Sequence, residues 1–155
     1  MQAVEELQAV EELQAGGYPV ALQLIQKMPN EELRKLIRKA DIIADQLVIG
    51  WYAMFALEGM CAGKPVLCYL RDDLVDLYEF AGLVVPDEIH LVRCDHRTVK
   101  ESIRGLLEQR ERIAQIGKAS REYVVKHHSL AAIGGLFDQA NRKMGLSPAT
   151  PHKSA

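Results

Sequence analysis

The chain has 155 residues, of which 48% are hydrophobic and 26% are charged, a balance typical of a single soluble globular domain. Its formal net charge of −2 predicts no general attraction to nucleic acid or to an anionic membrane surface. No apolar run approaches the roughly 20 residues of a transmembrane segment, and the acidic start does not resemble an export signal. Cys61, Cys68 and Cys94 have no metal-ligand spacing, so we interpret them as reduced thiols of a cytoplasmic protein.

The first predicted element is a helix built from a duplicated segment. QAVEEL occupies residues 2–7 and is repeated at 8–13, and both copies contain good helix formers. Their apolar residues recur every three positions, which spreads them over about half of the helix surface and does not form a coiled-coil seam. We expect one helix that ends at Gly16-Gly17, with these glycines as its C-cap.

The next region alternates between strand and helix. Short links between such elements are typical of parallel βαβ units with right-handed crossovers. The pattern predicts strands at 20–25, 41–44 and 66–70, and helices at 31–39 and 51–62.

The rest of the chain is predicted to be mainly helical. A helix at 72–80 and a short strand at 89–92 precede a region that is helical from Thr98 onwards. We expect residues 1–146 to form one domain, and 147–155, with two prolines and few apolar residues, to be a disordered tail. Breaks are expected near 109–110, at 126–129, where Ser129 could cap the last helix, and at Gly134-Gly135.

Together these elements predict an α/β fold with a Rossmann-like parallel sheet of about four strands, flanked by helices and followed by a helical C-terminus. Because the sequence opens on a helix, the strand that should precede a crossover helix is missing, and we expect the sheet to lack its first strand. Ligands of such open sheets bind beyond the carboxyl ends of the strands.

Loop 45–50 lies at such a carboxyl end and contains the first candidate binding residues. Gly50 would let the backbone approach a ligand closely. The helix is predicted to begin at Trp51, so the amides of Trp51, Tyr52 and Ala53 would have no helical acceptor. With the helix dipole they would suit an anion such as a diphosphate.

Glu58 is the single acid of the helix predicted at 51–62. It follows Trp51 by about two turns, so it lies nearly on the same face and about 10 Å further along the axis. A carboxylate there could accept two hydrogen bonds from a ribose diol while the helix start holds phosphate. The residues leave a plainer alternative open, in which Glu58 points to solvent or bonds a backbone amide.

The stretch ADIIADQLVIGWYAMFALEGMCAGKPVLCYLRDD, residues 40–73, resembles the C-terminal domain of retaining GT-B glycosyltransferases of family four, also called group 1. The similarity runs from about residue 9 to about residue 144, and includes KMPNEELRKLIRKADI at 27–42 and VVKHHS at 124–129. The family pattern reads roughly F-x-x-E-A-M-A-x-G-x-P-V-V, and its counterparts here are Phe55, Glu58, Gly59, Met60, Cys61, Gly63, Pro65 and Val66.

The resemblance implies a function and a set of roles. Glu58 would bind the ribose hydroxyls of a nucleotide-sugar donor, and the preceding loop and helix start would hold its diphosphate. In the complete enzyme the sugar would pass from the nucleotide diphosphate to an acceptor hydroxyl with retention. No cofactor or metal is expected, because helix dipoles and basic side chains would neutralise the leaving diphosphate.

Three departures from the family pattern qualify that function. The first of the family's two glutamates falls at Gly50, and Asp45 on the same loop is the candidate catalytic substitute. The strand and loop that carry an arginine and a lysine for the donor phosphates would precede residue 1, as would the acceptor domain. We therefore expect the isolated chain to be inactive, with an acceptor-domain protein or a second copy of itself as partner.

Other classes of protein remain as alternatives. One is a non-catalytic interaction module or a partner subunit of a split transferase. Another is a response-regulator or flavodoxin relative, against which stand the lack of an acidic cluster after a first strand and of a glycine- or serine-rich phosphate loop. No metal site is predicted, since Asp72-Asp73, His127-His128 and the group of His90, Cys94 and His96 each lack a complete ligand set.

Overall fold

The computed structural model describes residues 2–146, with side chains from residue 7 onwards, so the tail predicted at 147–155 lies outside the described residues. Within that range the fold is mixed α/β, with helices packed around a small parallel sheet. The elements are α1 (Gln2–Ala15), α2 (Asn30–Lys39), β1 (Ile43–Ala44), α3 (Met54–Cys61), β2 (Val66–Cys68), α4 (Asp72–Phe80), a 3₁₀ turn (Pro86–Glu88), β3 (Val92–Arg93), α5 (Val99–Glu108), α6 (Arg110–His128) and α7 (Leu130–Lys143).

The three strands are parallel and lie in the order β1-β2-β3. Ile43 is in register with Val66, and Leu67 with Val92. All three residues of β2 are buried, which is typical of a central parallel strand covered by helices on both faces. The predicted parallel α/β class is therefore confirmed for the described residues, although the sheet has fewer and shorter strands than expected.

The prediction of about four strands is wrong for the described residues. Residues 20–25 have a strand-like sequence but form no strand, because no neighbouring strand pairs with them. The third strand lies at Val92–Arg93, slightly later than 89–92, and a 3₁₀ turn precedes it. The other strands are also shorter than predicted, since pairing with a neighbour sets their length and the residues beyond it continue as loop.

The duplicated helix α1 forms as predicted and ends at Ala15. Gly17, two residues later, has a positive φ of 85°, as expected for a residue that follows the end of a helix. Ala9, Val10 and Leu13 of its second QAVEEL copy are buried against α5. The apolar residues of the second repeat unit thus anchor this helix on the domain.

The predicted helix breaks have mixed outcomes. α5 and α6 are separated at Gln109, and α6 and α7 at Ser129, whose hydroxyl accepts a hydrogen bond from the Ala132 amide at 3.2 Å. The break predicted at Gly134-Gly135 is wrong, because α7 runs through both glycines. Neither has a positive φ, so neither glycine adopts a conformation that would end the helix.

Two apolar clusters cover the sheet. One joins β1 and β2 to α3 and α6 and contains Ala56, Met60 and Val124. The other joins the sheet to α1 and α5 and contains Leu13 and Val99. None of the described helices is both long and apolar enough to cross a membrane.

Candidate functional site

The candidate site is formed by loop 45–53, which leaves the carboxyl end of β1 and leads into α3. Two backbone hydrogen bonds hold this loop beside the chain that follows β2. The Tyr69 amide donates to the Gln46 carbonyl at 2.7 Å, and the Arg71 amide donates to the Gly50 carbonyl at 2.9 Å. The loop therefore lies at the carboxyl edge of the sheet, where open α/β sheets bind ligands.

Gly50 has a structural reason for being glycine. Its φ is 101°, a conformation that other residues rarely adopt, and a Cβ at this position would overlap the side-chain carbons of Arg71. The close approach that the sequence suggests for a ligand is therefore made by Arg71. Contact between Gly50 and a donor stays a prediction.

Asp45 is a buried acid, with 9% of its surface exposed. Its carboxylate accepts a hydrogen bond from the Ala53 amide at 3.1 Å, and the Cys68 thiol lies at 4.0 Å. Burial raises the pKa of Asp45, and the hydrogen bonds from the Ala53 and Gln46 amides oppose that rise. The side chain thus joins the end of β1 to the residue that precedes α3.

The helix begins later than predicted. α3 starts at Met54, so Trp51 and Tyr52 belong to the loop and Ala53 is the residue before the helix. The prediction that the Ala53 amide is available to an anion is wrong, because Asp45 accepts its hydrogen bond. The amides of the first turn proper, beginning at Met54, have no acceptor within the helix.

Trp51 and Tyr52 belong to an aromatic cluster behind the loop. Their rings stack with centroids 5.0 Å apart, and Trp51 also meets Tyr78 at 4.4 Å. Tyr52 is 8% exposed, and its hydroxyl lies 2.8 Å from the Tyr123 hydroxyl and 3.1 Å from His128 Nε2. Both side chains therefore pack within the protein and hold the loop against α4 and α6.

The contacts of Tyr52 also explain the electrostatics of this cluster. Burial raises the pKa of both tyrosines, Tyr52 and Tyr123, and lowers the pKa of His128. The partners are separated by 71 and 76 positions in the chain, so no local sequence pattern could reveal the network. It fixes the end of α6 against loop 45–53.

Glu58 lies in the middle of α3 and is half-buried. One turn before it, Met54 is 69% exposed, and Cys61 one turn after it is also exposed, so all three lie along the outer face of the helix. Within residues 7–146 the carboxylate takes part in no hydrogen bond or ion pair by the usual distance criteria, so the alternative in which it bonds a backbone amide is not observed. Glu58 is about 6 Å along the axis from the true helix start.

The other motif residues have structural roles. Met60 and Val66 are fully buried, and Phe55 packs against their cluster. Gly59 lets α3 approach the sheet closely, since a Cβ there would be 3.0 Å from Val66 Cγ2. Helix packing therefore accounts for the spacing of these residues, and the Glu58 carboxylate is left without such an explanation.

Two arginines stand at the carboxyl edge. Arg71 forms two hydrogen bonds with Asp73, and Arg93 bonds Asp72 at 2.7 Å. The hydrogen bonds from Arg71 lower the pKa of Asp73. Because these ion pairs are exposed they contribute little stability, so a guanidinium can exchange its aspartate for another anion at small cost.

The histidines and acids outside the loop form no candidate metal centre. Glu88 binds Lys126 and His127, which ties the 3₁₀ turn to the end of α6. Across residues 2–146 no group of three or more His, Cys, Asp or Glu side chains is arranged to hold a metal ion.

Comparisons of the chain with protein-family models, with curated proteins and with solved structures gave no match. Support for a function therefore comes from the chemistry of residues 45–71 and from the sequence motif at 55–66.

Proposed function

We propose that this chain is the donor-binding domain of a retaining GT-B glycosyltransferase, which in the complete enzyme transfers a sugar from a nucleotide-diphosphate sugar to an acceptor hydroxyl. The observation that carries the proposal is the state of Glu58. Phe55, Met60 and Val66 of the same motif pack in the core, whereas Glu58 presents a carboxylate that bonds to none of the described side chains or amides. A ribose diol is a ligand that this carboxylate can hold with two hydrogen bonds.

The nucleotide diphosphate would extend from Glu58 towards the start of α3. The first-turn amides of Met54 and Phe55 would donate to phosphate oxygens, favoured by the helix dipole. The Arg71 side chain packs against Gly50 of the loop and would turn its guanidinium from Asp73 to a phosphate, which a guanidinium can bind with two parallel hydrogen bonds.

Asp45 takes a positioning role in this proposal. It is buried and already accepts the Ala53 amide, which fixes the residue before α3. The Ala53 amide already donates to the Asp45 carboxylate, which would repel a phosphate placed there. The diphosphate is therefore assigned to the amides after Ala53.

Calorimetric titration with UDP, GDP and ADP tests the proposal. We expect one of the three to bind to the purified chain, and Glu58→Gln to weaken that binding about tenfold or more, since hydrogen bonds to a charged group contribute about 1.5–3 kcal/mol. Glu79→Gln on α4 is the matched control, because it makes the same substitution on another helix. Its affinity should equal that of the wild type.

Two outcomes would contradict the proposal. One is the absence of binding at millimolar nucleotide by protein whose circular dichroism shows a folded α/β chain. The other is an affinity for nucleotide that Glu58→Gln leaves unchanged.

A non-catalytic interaction module, or a partner subunit of a split transferase, is the second candidate. It is favoured by α7, which buries no residue and exposes Leu130 by 94% and Phe137 by 66%. Large exposed apolar side chains on one helix are typical of surfaces that bind protein. Sedimentation of the wild type and of Phe137→Asp would show self-association through this helix as a mass that falls in the variant.

A further inference from the structure

Four charged side chains at the carboxyl edge of the sheet form two separate ion pairs. Arg93 of β3 donates to the Asp72 carboxylate at 2.7 Å and to the Leu70 carbonyl at 3.1 Å. Arg71 donates to Asp73, with its Nε 3.0 Å from Oδ1. The two acids are neighbours in the chain, yet Asp72 is held by the end of β3 and Asp73 is held by Arg71.

The pair of Arg71 and Asp73 lies beside loop 45–53. The Arg71 amide donates to the Gly50 carbonyl at 2.9 Å, and a Cβ at Gly50 would overlap the Cγ and Cδ atoms of Arg71. Cδ is bonded to the Nε that reaches Asp73, so the Asp73 carboxylate stands one guanidinium group away from the loop. Asp73 is therefore tied to the proposed nucleotide site, whereas Asp72 is tied to β3.

The proposed orientation of the nucleotide places its last group over the same loop. The ribose is assigned to Glu58 and the diphosphate to the first-turn amides of α3, so the nucleotide runs from the middle of the helix past its N-terminus. The group attached to the second phosphate then lies beyond Met54, over the loop that precedes the helix and beside Arg71. In a nucleotide sugar that group is the sugar.

The loop itself offers few hydrogen-bonding groups to a sugar. Its exposed residues are Val48 and Ile49, at 53% and 68%, and both are aliphatic. Asp45 is buried, and the Tyr52 hydroxyl already bonds the Tyr123 hydroxyl. Because hydroxyl groups that lose water without gaining hydrogen bonds cost free energy, the sugar needs an acceptor from a neighbouring segment.

Asp73 can supply that acceptor once Arg71 has bound phosphate. Its side chain is 63% exposed, and it belongs to the first turn of α4. A carboxylate has two oxygens that accept hydrogen bonds, so two adjacent sugar hydroxyls can donate to it together. In the free chain Arg71 occupies both oxygens. In the complex the guanidinium would move to the phosphate and leave them to the sugar.

We propose that Asp73 binds hydroxyl groups of the donor sugar and is a specificity-determining residue of the site. This inference rests on the proposed function, because it takes the orientation of the nucleotide from there. The ligand is a nucleoside diphosphate that carries a sugar with free hydroxyl groups. Arg71 and Asp73 act as a pair in which the cation binds the phosphate and the anion binds the sugar.

The test compares UDP, GDP and ADP with UDP-glucose, GDP-glucose and ADP-glucose in calorimetric titrations. The quantity measured, for the base that binds, is the Kd of the diphosphate divided by the Kd of its glucose conjugate. Asp73→Ala should tighten the diphosphate by up to about fivefold, because an exposed ion pair no longer competes for Arg71. It should lower the ratio at least about tenfold, because the conjugate loses its hydrogen bonds to a charged acceptor.

Two further variants are the controls. Asp72→Ala removes the same group from the same turn of α4, but from the pair with Arg93, so its ratio should equal that of the wild type. Glu58→Gln should weaken the diphosphate and its conjugate by the same factor, because Glu58 is assigned to the ribose that both contain.

A second measurement does not depend on affinity. In the free chain the hydrogen bonds from Arg71 lower the pKa of Asp73. Titration of the Asp73 carboxyl carbon by nuclear magnetic resonance should show this pKa rising when the diphosphate binds, since Arg71 then bonds the phosphate. The rise should be smaller with the glucose conjugate, because its hydroxyl groups stabilise the ionised carboxylate.

Two results would overturn this inference and leave the proposed function in place. One is binding that depends on Glu58 but gives the same ratio for Asp73→Ala and the wild type. The other is an equal fall of the ratio in Asp72→Ala, which would indicate a general effect of charge at this edge. Failure of all six probes to bind the folded chain would instead remove the proposed function, and this inference with it.

Discussion

The Cα of Gly117 in α6 lies against the carbonyl oxygen of Gly63, in the turn between α3 and β2. A Cβ at Gly117 would overlap that oxygen, so the backbone of the longest described helix rests directly on the turn of the GKP segment. The contact sets how closely α6 approaches α3, and so where the end of α6 stands relative to loop 45–53.

This contact predicts the effect of adding one methyl group. Gly117→Ala should lower the free energy of unfolding by about 1–3 kcal/mol, because neither backbone can move without disturbing the core. Gly134→Ala in α7 is the control. It meets nothing within 4 Å, so it should raise stability by about 0.5–1 kcal/mol through helix propensity. Urea denaturation measures both, and equal midpoints for Gly117→Ala and the wild type would refute the close approach.

Stability is expected to fall as the solution becomes more acidic, and His128 supplies part of this dependence. Burial lowers the pKa of His128 in the folded state, so below the unfolded value of about 6.5 the unfolded chain binds the extra proton. The His128 contribution is thus complete above about pH 6.5 and is lost as pH falls towards the folded pKa, with a slope of at most about 1.4 kcal/mol per pH unit.

The measurement is urea denaturation between pH 5 and pH 8 for wild type and His128→Gln. The variant should show a flatter profile, because glutamine does not titrate and its amide can still bond the Tyr52 hydroxyl. The ion pairs of Glu88 are present in both proteins, so their contribution cancels in the difference. If the two proteins gave parallel stability profiles over this range, His128 would not be a source of the pH dependence.

Asp45 should tolerate loss of its charge better than loss of its side chain. Because burial raises the pKa of Asp45, the ionised form is disfavoured in the folded state and costs stability near neutral pH. Asp45→Asn keeps an acceptor for the Ala53 amide and should be no less stable than the wild type at pH 7. Any gain should shrink as pH falls towards the ordinary aspartate pKa of about 3.9, because the folded chain takes up the proton at a higher pH than the unfolded chain.

Asp45→Ala tests the other half of this interpretation. It leaves the Ala53 amide without its side-chain acceptor, so it should destabilise the fold by about 1–3 kcal/mol. If Asp45→Asn and Asp45→Ala were equally destabilising, the carboxylate charge and not its hydrogen bond to Ala53 would be what the loop requires.

The comparison of sequence with structure shows which features local patterns can predict. α4 at Asp72–Phe80 and the cap at Ser129 depend on neighbours within one or two turns, and both can be predicted from residues alone. The prediction of a strand at 20–25 is wrong because a strand needs a partner strand, which its own sequence does not specify. The segment has the apolar pattern of a strand, but no neighbouring strand pairs with it among the described residues.

The candidate site shows the same difference between local features, which the sequence predicts, and contacts between distant residues, which it does not. The sequence can place Glu58 on a helix and Gly50 on the loop before it. It cannot show that Arg71 fills the space beside Gly50, or that Asp45 occupies the Ala53 amide, since those contacts join different elements. The predicted start of α3 is three residues too early because Trp51 and Tyr52 are held in an aromatic cluster by distant partners.

The last prediction separates binding from folding within one helix. Glu58→Ala should change the free energy of unfolding by less than about 0.5 kcal/mol, because its carboxylate makes no contact that folding requires. Met60→Ala, two residues later, should lower it by about 2–5 kcal/mol because Met60 is fully buried. In the nucleotide titration the order should reverse: Glu58→Ala should lose binding, and Met60→Ala should retain it at a temperature where the variant is folded. A loss of stability in Glu58→Ala comparable to that of Met60→Ala would show that Glu58 supports the fold, and the assignment of this residue to a ribose would then lose the observation on which it rests.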